Sequence, residues 1–204
     1  EVFFKALYEL VAKAQKQGPI SRILFPVGND YLTIDSDSNE TTAGTPQDVD
    51  SRFAKIYREG RKILVEAIEM LRQTAPIDVV VVPGNHDNVS MFHLGDALEC
   101  WFHAHTDVTI NNEPISRKYY RFGKVMIGLC HGHLEKHDKL PNLAAVEQPE
   151  MWAATVCREW HCGHLHHESV KEHMGTNVRI LPSLSGADRY HHDHGYVGAK
   201  RVAQ

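Results

Sequence analysis

Hydrophobic and polar positions change period several times along this chain, and each change marks an element. Near the start, Val2, Phe3, Leu7, Leu10, Val11 and Ala14 recur at close to helical spacing with lysines between them. That spacing predicts an amphipathic helix from Glu1 to Gln17, closed by Gly18-Pro19. Ile20 to Val27 reads as a strand running into Gly28-Asn29-Asp30. From Asn29 to Asp50 the chain is polar, without a period, and long for a loop in a compact domain; such loops more often carry function than stand idle. Thr45-Pro46-Gln47-Asp48 has the residues of a helix start, with Thr45 as N-cap and proline at the first position. The predicted helix runs to Gln73 on a stripe of Phe53, Ile56, Ile63, Leu64, Ala67, Ile68 and Leu71.

The four valines Val79 to Val82 are too short a run for a helix and too apolar for a surface, which makes them a buried central strand. It stops at Pro83-Gly84, and Asn85, His86 and Asp87 follow at once. Met91 to His103 is expected to be a helix that buries Leu94, Leu98, Trp101 and Phe102. Val108 to Ile110 is a short strand, and Arg117 to Phe122 with Lys124 to Cys130 form a hairpin about Gly123 that ends on His131-Gly132-His133. A helix is expected from Glu150 to Trp160, then Cys162-Gly163-His164-Leu165-His166-His167. Val170 to Glu172 and Val178 to Leu181 flank a turn at Gly175-Thr176. Strands alternate with helices and no linker interrupts them, so the expected class is α/β in one domain across residues 1–204.

Composition narrows the chemistry. The 204 residues suffice for a sizeable core, and no apolar run approaches the length of about 18 residues that spans a membrane. The formal net charge of −4 does not describe a generally basic face for nucleic acid. Cys100, Cys130, Cys157 and Cys162 are scattered without a CxxC pair, which fits reduced thiols in the cytoplasm, and no secretory signal is visible. The informative excess is histidine, 15 residues, many of them between His131 and His194. Imidazole is the commonest metal ligand and a frequent general acid or base, so this clustering points to a metal site.

Asp30, Asn85 with His86, and His131 each follow a predicted strand, and His164 with His166 is read as a fourth strand end, where sites sit in open α/β sheets. Gly84-Asn85-His86-Asp87, His131-Gly132-His133 and Gly163-His164-Leu165-His166, in that order, resemble motifs of the calcineurin-like metallophosphoesterases. The resemblance covers about two-thirds of the chain. It implies an α/β sandwich of central mixed sheets flanked by helices, and hydrolysis of phosphate esters by metal-activated water at two divalent ions, with Mn²⁺, Zn²⁺ or Fe all compatible with mixed nitrogen and oxygen ligands. By resemblance, Asn85, His131 and His164 are metal ligands and His166 reaches the other ion. A carboxylate must bridge the two cations, and Gly28-Asn29-Asp30 offers either Asn29 or Asp30 where the family usually has Gly-Asp; Asp30 is preferred, because a neutral amide bridges cations poorly. His86 would protonate the leaving oxygen or stabilise charge, and Asp87 would orient it by accepting its other N–H.

Other readings of the same residues stay open. His133 can replace His131 as ligand or touch substrate, and Arg189, in a polar cluster after Ser183, is a candidate grip on phosphate. Asp35 and Asp37 read as loop-solvating residues or turn formers in preference to metal ligands. The family's first motif, Asp-x-His, is not in this sequence, and the Glu1 helix resembles the one that follows it, so the domain is expected to lack its first strand. A phosphodiester, with nucleic acid or a nucleotide among the candidates, is the favoured substrate, and no membrane partner is expected. The alternative is a scaffold that keeps the fold and one metal position without catalysis.

Overall fold

The computed structural model describes residues 2–184, so Arg189 lies outside the described residues. The chain divides into two compact units, one ending at Ser116 and the other beginning at Arg117.

In the first unit α1 (Val2–Gln15), β1 (Ile23–Gly28), α2 (Phe53–Leu71), β2 (Ile77–Val82), α3 (Asn88–Phe102) and β3 (Val108–Asn111) follow one another. The three strands form a parallel sheet in the order β1-β2-β3. A central parallel strand is covered on both faces, which is why Val79, Val80, Val81 and Val82 form an unbroken apolar run and all are buried. Leu64, Ile68 and Leu71 of α2 and Met91, Leu94, Leu98 and Phe102 of α3 close this core. Truncating a wholly buried leucine such as Leu94 to alanine would cost about 2–5 kcal/mol.

Two expectations change here. The helix after the polar loop begins at Phe53, with Arg52 at its N-cap and no side-chain cap, whereas Thr45 and Pro46 belong to the loop. There the Thr45 N–H donates to Thr41 Oγ1 and Pro46 bridges to Glu40, so the apparent cap residues are used in a turn. The loop itself is anchored, because Leu32 and Ile34 are buried. Trp101, expected in the core, is 52% exposed: α3 turns its buried face through Leu94, Leu98 and Phe102, and the Arg61 guanidinium lies 5.8 Å above the Trp101 ring.

The second unit contains β4 (Arg117–Phe122), β5 (Val125–Cys130), α4 (Leu140–Glu147), α5 (Pro149–Ala154), β6 (Cys157–Cys162), β7 (Ser169–His173) and β8 (Thr176–Ile180), with a 3₁₀ turn at His137–Lys139. Its sheet has the order β4-β5-β6-β8-β7. The outer pairs are antiparallel and β5, β6 and β8 run parallel, so this sheet is mixed, as expected. The helix predicted from Glu150 to Trp160 is instead α5 followed by β6. Thr155 Oγ1 donates to the Met151 carbonyl at 2.9 Å, and Arg158, stacked 4.0 Å above Trp152, donates to the Trp152 carbonyl at 2.8 Å. These bonds consume the last carbonyls of α5 and end it. Trp160 is then free to fill the sheet core opposite Gly128, where a Cβ would lie 2.4 Å from the indole. Among the described residues no helix is long and apolar enough to cross a membrane.

Candidate metal centre

The first unit brings together the loops after β1 and β2. Gly28 pairs with Val82 at the ends of these strands, so both loops leave the same edge, and the Asn29 N–H extends the ladder by donating to the Val82 carbonyl at 2.7 Å. The chain then turns through Asn29 and Asp30, both at φ 64°, a region that L-residues adopt rarely and that tends to persist where surrounding structure enforces it. The turn carries the Asp30 carboxylate over the second loop, where Oδ1 accepts the His86 backbone N–H at 2.9 Å. The Asp30 carboxylate is thus seated against the backbone of the Gly84-Asn85-His86 turn.

His86 and Asp87 do not form the expected pair. Nδ1 of His86 lies 3.2 Å from the Thr33 carbonyl oxygen. The Asp87 side chain is wholly buried, with Oδ2 accepting the Leu32 N–H at 2.8 Å and Oδ1 the Gly84 N–H at 3.1 Å. Asp87 therefore ties the two loops together through their backbones, and the orienting role assigned to it is corrected: a backbone carbonyl meets the His86 ring instead. Burial pushes the Asp87 carboxyl up to about 7, reinforced by the charges of Asp30 and Asp35 and opposed by the two backbone donors.

Asp35, which sequence reasoning treated as a turn former, is a hub. Oδ1 accepts from Ser90 N at 2.7 Å and Ser90 Oγ at 2.6 Å, while Oδ2 accepts from Val89 N at 3.1 Å and Thr42 Oγ1 at 2.6 Å. Partial burial raises its pKa, but the bonds from Ser90, Thr42 and Val89 outweigh that and hold it below the ordinary carboxylate value. No sequence motif marks it, because three of its four donors come from Val89 and Ser90, more than 50 positions away.

The second unit repeats the arrangement with imidazoles. Cys130 and Cys162 are paired in register at the ends of β5 and β6, so His131 and Gly163-His164 leave one edge, and the Gly163 N–H donates to the His131 carbonyl at 3.0 Å. His164 and His166 take the left-handed conformation at φ 64° and 54°. Gly132, at φ 95°, has no room for a Cβ without crowding Cys162 and His137. His131 is buried, its Nε2 3.1 Å from Nδ1 of His164. Two imidazole nitrogens bound to one ion at about 2.0–2.1 Å each would stand at about that separation. The His133 ring is 5.1 Å from that of His131 and 5.9 Å from that of His164, beside the pair. His166 sits in the same loop, two residues beyond His164.

Asp30, His131 and His164 each present a ligand atom of a kind that Mn²⁺, Zn²⁺ or Fe accepts, an oxygen in the first unit and two nitrogens in the second. None of the protein-family models and none of the curated proteins compared with the chain matches it. Among solved structures the chain is similar to a single-residue mutant of Vps29 from Entamoeba histolytica, at 18% identity and a TM-score of 0.36, over 88% of this chain and 67% of that one.

Proposed function

We propose that this protein is a metal-dependent phosphoesterase, with phosphodiesters, nucleic acid or nucleotides among them, as its favoured substrates. The observation that carries the reading is the His131–His164 nitrogen pair, 3.1 Å apart at a strand-end edge, in a chain whose other unit seats the Asp30 carboxylate against the Asn85-His86 turn. In this reading Asp30 and Asn85 join His131 and His164 as ligands, with His166 serving a second ion. Bound there, two divalent ions neutralise the ester's charge and lower the pKa of water. Asp30 supplies the anion that lets two cations lie close together. His86 donates a proton to the departing oxygen, and Arg189 and His133 hold the phosphate. A cytoplasmic setting belongs to the same reading, supported by cysteines that are all free thiols.

The test is metal content per chain together with turnover of bis(p-nitrophenyl) phosphate and p-nitrophenyl phosphate under added Mn²⁺, for the parent, His131→Ala and Asp30→Asn. Two ions and diester turnover in the parent, both lost in the variants, are expected. One ion without hydrolysis overturns the enzymatic reading in favour of a binding scaffold. Monoester turnover alone overturns the diester preference. Chelation should abolish turnover without unfolding the protein, since the core clusters of both units are built from side chains other than the proposed ligands.

A further inference from the structure

Residues 86–90 lead from the Gly-Asn-His-Asp turn into α3, and every one of them is held by a residue of the preceding loop. His86 N–H meets Asp30 at 2.9 Å, the His86 ring meets the Thr33 carbonyl at 3.2 Å, and the Asp87 carboxylate meets Leu32 N–H at 2.8 Å. Asn88 N–H donates to Thr42 Oγ1 at 3.1 Å, and Val89 and Ser90 donate to Asp35. The residue at the middle of this seam is Asp35, which takes four donors on two oxygens and places its charge at the positive end of α3. Thr42 closes the ring, donating to Asp35 while accepting from Asn88.

The seam has a consequence for His86. A carbonyl oxygen only accepts, so in the Thr33 contact Nδ1 of His86 must carry hydrogen, and Nε2 is left as the nitrogen that exchanges a proton. Thr33 lies two residues from Asp35 and one from Leu32, so its carbonyl is held in place by bonds on either side.

We propose that Asp35 is a positioning residue for His86. By fastening the loop to the first turn of α3, it keeps the Thr33 carbonyl against Nδ1 and thereby fixes the tautomer and direction of the ring. The inference rests on the reading of His86 as proton donor to the leaving group. The rival is that Asp35 only caps α3, in which case its loss lowers stability and leaves the ring unchanged.

The experiment compares the parent, Asp35→Ala and Ser90→Ala by ¹⁵N NMR of the histidine rings, in two diamagnetic samples, one metal-free and one Zn²⁺-loaded, with His86 signals assigned by their loss in His86→Gln. Bis(p-nitrophenyl) phosphate kinetics are measured on the same proteins. The parent should show His86 protonated at Nδ1, and Asp35→Ala should show averaged tautomers, with kcat lower by about 10- to 100-fold at unchanged KM and metal content. Ser90→Ala, which removes a single donor, should move the spectrum a smaller distance in the same direction, and it decides the matter if Asp35→Ala does not fold. A parent protonated at Nε2, or variants that lose melting temperature while keeping the parent ring spectrum, would overturn the proposal. Absence of turnover in the parent would defeat the phosphoesterase reading separately, because the spectra still report the latch.

Discussion

Gly84 and Asp30 pack so closely that a Cβ on the glycine would lie 2.0 Å from Oδ1 of the aspartate and 2.4 Å from its backbone nitrogen. The glycine in the Gly-Asn-His-Asp turn is therefore a steric requirement of the neighbouring loop. Because the clash includes backbone, the Asp30 carboxylate cannot simply swing aside. Gly84→Ala should destabilise the protein by about 1–3 kcal/mol and weaken Mn²⁺ binding by about 10- to 100-fold. Calorimetric titration and thermal melts measure both effects. Parent-like Mn²⁺ affinity in Gly84→Ala would remove Asp30 from the ligand set.

Asp87 should matter through the backbone. Asp87→Ala leaves the Leu32 and Gly84 N–H groups without their acceptor in a buried place. The expected loss is about 2–4 kcal/mol in urea unfolding, with the His86 ring tautomer unchanged. A tautomer change at preserved stability would restore the direct pairing of Asp87 with His86.

The acid limb of stability should contain a contribution from Asp35. Its folded-state pKa lies below the ordinary value of 3.8, so the stabilisation is fully present above that value and is lost as pH falls through the lower folded value. Asp35→Asn keeps a single acceptor oxygen and cannot titrate. Unfolding free energies between about pH 2 and pH 6 should therefore fall less steeply for Asp35→Asn than for the parent. Parallel acid limbs would contradict this account of the hub.

The cysteines should separate into two classes. Cys100 and Cys157 are exposed, whereas Cys130 and Cys162 are buried with sulfurs 3.5 Å apart. The contact with Cys162 and the cost of burial both push the Cys130 thiol up, which removes the reactive thiolate. Alkylation of the folded protein should label Cys100 and Cys157 and reach the other pair only on unfolding, as read by peptide mass mapping. Rapid labelling of Cys130 in the folded state would show that the end of β5 opens.

Much was legible in the sequence where the signal is local. Four adjacent valines can satisfy their surroundings only as a strand covered on both faces, and glycine-histidine clusters after such strands mark the edge where side chains can converge. Those features placed β1, β2, β5 and the histidine loops. Side-chain caps were legible less well: Thr45 and Pro46 look like a helix start, yet the Thr45 N–H is satisfied by Thr41 within the loop.

What the tertiary structure decided depends on partners distant in the chain. Trp160 is a strand residue because Gly128, on another strand, leaves space for its indole. The choice between Asp87 and Thr33 as the partner of His86, and the elevation of Asp35 from turn former to hub, rest on hydrogen bonds spanning more than 50 residues. Periodicity reports which face of an element is apolar, and motif spacing reports which chemistry is on offer. Neither contains the positions of acceptors brought close only when β1 and β2 align, and that alignment decides what each polar side chain binds.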